Sequence, residues 1–295
     1  MTGSLPILEI LRQIYIHIHI PKTGGTSLKS TLYGLFGLEG YGDTTAILNN
    51  YQYDRGQVER ILRQQHQLRC LTGHKLSLDL PYESSEWTLR PFTFIRHPVD
   101  RFLSTYYFHH SSAAVQFETS RLSLDEFLDP ANRAPLTTLE KSSQLAFLAG
   151  RGGEEGLQRV EACRFDHGLM LFPLEEMLRA LCLLRSRFPE DFTGFQIHHL
   201  QQSKWDPPPT EAQQERIREI VHEDMRLYEL SQETLAEAVR GLSEEELRYE
   251  PPLVRQKPLP VSVGLEKFGN IFHRLARSIE KRRPKIPDPD ANNGA

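Results

Sequence analysis

The sequence predicts an α/β protein, a three-layer sandwich with a mainly parallel central sheet. Three observations lead there. Residues 14–20 place isoleucine at every second position, the period of a strand rich in β-branched residues. Leu28, Leu32, Leu35 and Phe36 then recur at helical spacing. The same change of period returns at 92–95 followed by 99–108, and at 169–172 followed by 174–187. Strands that alternate with helices argue for parallel strands joined by crossover helices.

In chain order, the residues before Leu11 read as a flexible lead-in and the opening strand stops at Pro21. Residues 34–50, rich in glycine, threonine and asparagine, read as loop, and 58–65 as helix. A second strand is predicted at 68–71, ending in Thr72, Gly73 and His74, and a third at 92–95, ending in Arg96, His97 and Pro98. Val99, Phe102, Leu103, Tyr106 and Tyr107 share one broad helix face. Ser123 starts a short helix over 124–128, residues 144–148 are apolar, and Gly150, Gly152 and Gly153 mark a loop. After the helix at 174–187, a last short strand is expected at 195–200, then a proline loop at 205–209. Thr210 opens one long polar helix running to about Val239. This body, 1–241, is expected to be one domain. Residues 242–295 are expected to be a linker, a basic amphipathic helix over 265–279 and a disordered end.

A chain of 295 residues can bury a large core. Ordinary hydrophobic and charged content, 39% and 25%, indicates a soluble globular body. The net charge of −4 argues against a general nucleic-acid binder, so any anion site must be a local concentration of positive charge. Cys70, Cys163 and Cys182 are an odd number without metal spacing, and each sits among apolar residues, so reduced core thiols are expected. No secretory signal is visible, and no stretch approaches the about 18 apolar residues of a membrane span. A cytoplasmic protein is expected.

The opening strand leads into Lys22, Thr23, Gly24, Gly25, Thr26 and Ser27, and these into a helix. The first turn of a helix carries N–H groups without partners and a partial positive charge. Glycines let an anion approach the backbone, and lysine and hydroxyl side chains add donors. The plain alternative is a βα turn with a Ser/Thr cap. The coincidence of lysine, two glycines and hydroxyls in one turn favours a phosphate cradle.

This is not the loop of an ordinary nucleotide hydrolase. There the lysine follows the glycines and an Asp at a second strand end holds magnesium. Here Lys22 precedes Gly24 and Gly25, and the comparable strand ends in Arg96 and His97. Arginine cannot ligate a cation but forks two hydrogen bonds to a phosphate. The pattern suits a nucleotide with two phosphate positions and no metal. Arg101 and Ser104 share a helix face beyond Pro98.

The segment HIPKTGGTSL, from His19 to Leu28, resembles the 5′-phosphosulfate loop of sulfotransferases that use 3′-phosphoadenosine-5′-phosphosulfate (PAPS). FIRHPVDRFLSTYY, from Phe94 to Tyr107, resembles their 3′-phosphate motif. The nearest branch is that of the uronyl and heparan-sulfate 2-O-sulfotransferases with their bacterial relatives. Weaker similarity continues through LTGHKLS, GLMLFPLEEMLRAL and residues 197–228, so that it spans 14–235.

The resemblance implies a P-loop-like fold, PAPS as co-substrate, 3′-phosphoadenosine-5′-phosphate (PAP) as product, and no metal. It assigns Lys22 to the bridging and sulfonate oxygens and Thr23, Gly24, Gly25, Thr26 and Ser27 to the 5′-phosphate. Arg96 and Ser104 go to the 3′-phosphate, Lys204 to a late loop over the nucleotide, and His74 to the acceptor proton. Asp79, Glu83 or Glu86 is the alternative base. The implied acceptor is a hydroxyl of a glycan, lipid or small metabolite. Carbohydrate sulfation is one expectation, on a par with a lipid or small metabolite, since the chain lacks the secreted character of that branch. Other readings are a P-loop-type kinase and a non-catalytic nucleotide-binding module. The basic helix near the C-terminus would pack on the body, dock a protein or touch an anionic membrane.

Overall fold

The computed structural model describes residues 11–45, 52–110, 121–132, 143–197 and 208–247. β1 (Arg12–Ile18) forms where the isoleucine alternation predicts it. Ile14, Ile16 and Ile18 enter the core on one face of the sheet and Tyr15 the core on the other, as the period-two pleat requires. The chain continues as α1 (Gly25–Gly40), β2 (Tyr41–Asp43), α2 (Arg55–Gln64), β3 (Cys70–Gly73), β4 (Trp87–Ile95) and α3 (Pro98–His109). There follow α4 (Leu124–Leu128), α5 (Gln144–Ala149), α6 (Gly153–His167) and β5 (Met170–Pro173). The remaining helices are α7 (Met177–Arg187), α8 (Pro189–Phe192), α9 (Glu211–Ile220), α10 (His222–Val239) and α11 (Glu244–Leu247).

The five strands are all parallel, in the order β2-β3-β1-β4-β5. Helices cover both faces, so the protein is the three-layer α/β sandwich predicted. On one face Ile14, Ile16 and Ile18 pack with Val58 and Ile61 of α2, Leu148 of α5, Val160 of α6 and Leu227 of α10. On the other, Tyr15, Phe92 and Phe94 meet Leu28 and Leu32 of α1 and Leu181 and Leu184 of α7. A third cluster joins α3, α4 and α9 through Phe102, Phe127 and Ile217. β1 lies centrally between β3 and β4, with Ile18 opposite Gly73 and His17 opposite Phe92. The chain therefore leaves β1 toward one side and later crosses to the other, which opens a crevice at the carboxyl ends of these strands.

Several elements differ from expectation. α1 runs to Gly40 through a break at Gly37 (φ 65°, ψ −173°), and β2 follows where loop was expected. β4 begins at Trp87 rather than 92 and carries Pro91 opposite Ile16. α6 was not anticipated, because only Gly156, Val160 and Cys163 of its 15 residues are buried and its apolar stripe is faint. The strand expected over 195–200 is absent from its described part, 195–197, and 198–200 lie outside the described residues. The long helix from Thr210 is two helices, separated at Val221.

Residues 242–247 do not behave as linker. The Arg185 guanidinium donates to the Glu246 carbonyl (2.9 Å), and Leu242 and Leu247 pack against the α7 cluster. The basic helix expected over 265–279 lies outside the described residues. Among the described residues no helix is long and apolar enough to cross a membrane.

Candidate active site

The loop between β1 and α1 is held in a strained shape. Lys22 has φ 70°, and it is the one non-glycine with positive φ among the described residues. Gly24 follows at φ 74°, with Thr23 at negative φ between them. Alternation of this kind turns successive N–H groups toward one concavity. The N-cap of α1, Gly24, makes no side-chain cap bond and no acid stands in the first turn, an arrangement that suits an anion.

Close contacts explain both glycines. A Cβ on Gly24 would fall 2.6 Å from Leu174 Cδ1, and one on Gly25 would fall 1.8 Å from His19 Nε2. Thr23 Oγ1 donates back to the Ile20 carbonyl at 2.9 Å and closes the turn.

The second motif clamps this loop from the end of β4 and the start of α3. Arg96 donates to the Lys22 carbonyl (3.3 Å), and Arg101 Nε to the Pro21 carbonyl (3.1 Å). Arg101 is buried, so it is a structural brace of the loop. One helix face further on, the Lys22 ammonium lies over the Phe108 ring, 4.0 Å from its centroid. Ser104 sits between Arg101 and Phe108 on that face, at i+3 and i−4, and is buried. Burial works against the Arg96 charge, and the Asp100 and Glu175 carboxylates support it.

His74 follows Gly73 at the end of β3. Gly73 is required because a Cβ would lie 2.1 Å from Thr44 Oγ1 and 2.8 Å from two backbone nitrogens. His74 Nδ1 bonds to the His19 carbonyl at 2.7 Å, and the two rings lie 4.2 Å apart, tilted by 32°. Burial lowers His74 to about 4, against the weaker raising effect of the His19 carbonyl bond. His17, lowered by burial to about 3, bonds Thr72 Oγ1 through Nδ1, and its Nε2 is unpartnered. His19 is held well below its usual range for the same reason, and its Nδ1 is unpartnered. The Lys29–Asp43 pair (3.1 Å) lies close enough to influence His74.

The alternative carboxylates have partners of their own or stand exposed. The Glu86 carboxylate pairs with Arg63 (2.8 Å), and its main-chain carbonyl accepts from the Arg12 N–H at the amino end of the sheet, opposite the site. Asp79 accepts from the Arg55 N–H at the start of α2 (3.1 Å). Glu83 is exposed, four residues before β4 begins.

The fold brings Lys22, Thr23, Gly24, Gly25, Thr26, Ser27, His74, Arg96 and Ser104 to one edge, the carboxyl ends of β1, β3 and β4. Lys204 lies outside the described residues. Beside them a cleft of about 450 Å³ is lined by His97, Asp100, Glu175, Arg218 and Tyr228, among others; neither Lys22 nor His74 lines it. Sequence reasoning passed over Gln144, whose side chain bonds the Arg96 backbone, and Asp224, which bonds the start of α5. A glutamine amid apolar residues gave no signal beyond its burial.

The donor set suits a nucleotide with phosphates at two positions: an uncapped helix start, a left-handed lysine, and an arginine at the next strand end. Among curated proteins no sequence match is found. The crystal structure of retinol dehydratase in complex with androsterone and inactive cofactor PAP is similar over 95% of this chain and 84% of its own, at 13% identity and a TM-score of 0.34. That likeness is too distant to carry fold or function across. The profile of the sulfotransferase family, in contrast, matches residues 13–204 and takes in both motifs and His74. The chain belongs to the sulfotransferase family and is a PAPS-dependent sulfotransferase.

Proposed function

We propose that the chain transfers the sulfuryl group to an acceptor hydroxyl, with Lys22 and His74 as the catalytic residues. The observation that carries this is the shared anchor of both halves of the site. Arg96 and His74 come from different strands, yet each bonds a main-chain carbonyl of the same segment, at Lys22 and at His19.

PAPS supplies an activated sulfuryl group on a phosphate leaving group. The Lys22 ammonium offsets the charge that develops on the bridging oxygen. The backbone of Thr23, Gly24, Gly25, Thr26 and Ser27 holds the 5′-phosphate. Arg96 and Ser104 take the 3′-phosphate, with Lys204 as a further nucleotide contact. His74 Nε2 accepts the acceptor proton, a role open to it because Nδ1 faces a carbonyl. The acceptor class to test first is a carbohydrate hydroxyl, followed by lipids and small metabolites. The chain works in a reducing compartment, the cytoplasm, in keeping with three free buried cysteines.

Isotope-labelled PAPS incubated with a lysate of the source cells, and identification of the labelled product, tests the proposal. Label on a hydroxyl, lost in Lys22→Ala and His74→Ala, supports it. Donor binding without transfer to any acceptor indicates a nucleotide-binding module, and magnesium-dependent ATP turnover indicates a kinase; either result overturns it.

A further inference from the structure

Gln144 is the first residue of α5 and is fully buried. Its side-chain amide closes on both polar backbone groups of a single residue. Nε2 donates to the Arg96 carbonyl at 2.8 Å, and Oε1 accepts from the Arg96 N–H at 2.9 Å. The pairing of β4 with β5 ends at Ile95 opposite Pro173, so Arg96 is the first residue beyond the sheet. There a strand neighbour no longer supplies the two bonds, and the Gln144 amide supplies them instead.

Gln144 is itself seated. Its backbone N–H and that of Leu145 donate to the two oxygens of Asp224, at 2.8 and 2.9 Å. Asp224 projects from α10 and is 1% exposed. Burial raises its pKa, while the nearby Arg101 charge and these N–H bonds favour its ionised form. A continuous chain of bonds thus runs from the α10 carboxylate through the start of α5 to the Arg96 backbone, and the Arg96 side chain ends on the Lys22 carbonyl.

We infer that Gln144, seated by Asp224, is a positioning residue for Arg96 and thereby sets the preference for a nucleotide carrying a 3′-phosphate. The inference rests on the assignment of Arg96 to that phosphate. A guanidinium at the end of a long side chain forks onto a phosphate only where its root is fixed. Two bonds of opposite sense, one donated and one accepted, fix the Arg96 peptide planes on both sides. Gln144→Glu keeps the shape and the acceptor but sets a carboxylate oxygen against the Arg96 carbonyl. Gln144→Met keeps the volume and removes both bonds.

The test measures dissociation constants of the full chain for PAP and for adenosine 5′-phosphate, which lacks the 3′-phosphate, with thermal midpoints as a check of folding. In both Gln144 variants the PAP preference is expected to fall about tenfold, with adenosine 5′-phosphate affinity changed less than about twofold. Asp224→Asn, one bond further away, is expected to lower it about threefold and keeps the question answerable if a Gln144 variant does not fold. Arg96→Met separates the two layers of the argument. If it leaves the preference intact, the 3′-phosphate assignment itself fails. If it abolishes the preference while the folded Gln144 and Asp224 variants retain it, or weaken both ligands equally, the positioning role is overturned.

Discussion

His74 bonds through Nδ1 to the main-chain carbonyl of His19 at 2.7 Å while its ring lies tilted against the His19 ring, 4.2 Å between centroids. A ring nitrogen that faces a carbonyl carries the proton, which leaves the Nε2 lone pair as the basic atom. The buried ring is neutral down to about 4. The acid limb of the pH–rate profile is therefore expected near 4, well below the about 6.5 of a free histidine, and kcat should be level on that side from about pH 5 upward. His74→Ala should lower kcat by about a hundredfold or more and leave PAP affinity unchanged. An acid limb at neutral pH would assign the proton transfer to another group.

Acid should also unfold the protein early. His17, His19 and His74 are kept neutral by burial, two of them at about 3 and about 4. In the unfolded chain each protonates near about 6.5, so below that pH the unfolded state binds more protons. The sign is that of depressed histidines: stability present above about pH 6.5 is lost as pH falls toward 4. Urea midpoints measured between about pH 7.5 and 5 should fall steadily. A level series would show that these rings are solvated.

Lys22 carries its charge at the expense of its backbone. A side chain in the left-handed region costs about 1 kcal/mol. Lys22→Gly should therefore match or exceed Lys22→Ala in stability, by up to about 1 kcal/mol, although both should lose sulfuryl transfer. Chemical denaturation of the two variants side by side checks this. A glycine variant less stable than the alanine one would contradict the strained geometry.

Gly25→Ala tests the packing of the loop on His19. The added methyl would fall 1.8 Å from His19 Nε2, and that ring is buried against His17 and His74. Relief requires the helix start or the ring stack to move, at a cost of about 1–3 kcal/mol. Both the thermal midpoint and PAP affinity should drop. Gly34→Ala, a helix position where a Cβ meets nothing within 4 Å, is the matched control and should be neutral or stabilising.

The parts legible in the sequence are those with a strong local signal. Isoleucine alternation marked β1, and the Lys-Thr-Gly-Gly and Arg-His-Pro segments marked two strand ends. What stayed hidden depends on contacts distant in sequence. β2 is three residues, Tyr41–Asp43, with a glycine in the middle, and it is a strand only because β3 lies beside it. Residues 195–200 have the apolar character of a strand, yet Phe195 is consumed in the core around α7. Gln144 looks like helix surface until the end of β4 is seen to lack a neighbour there. The lowered pKa of His74 likewise follows from its burial among elements distant in sequence, which no local pattern reveals.

The bond chain from Asp224 through Gln144 to Arg96 also orders events during synthesis. Every described residue assigned to the nucleotide or the base lies within the first 104 of the chain, but the residues that fix Arg96 lie at 144 and 224. A ribosome adding about 5–20 residues per second makes Asp224 on the order of ten seconds after Arg96. On the proposed assignment, the nascent chain displays its phosphate-seeking groups before it owns the parts that hold them in register, and the selective donor site would form only after α10 has emerged.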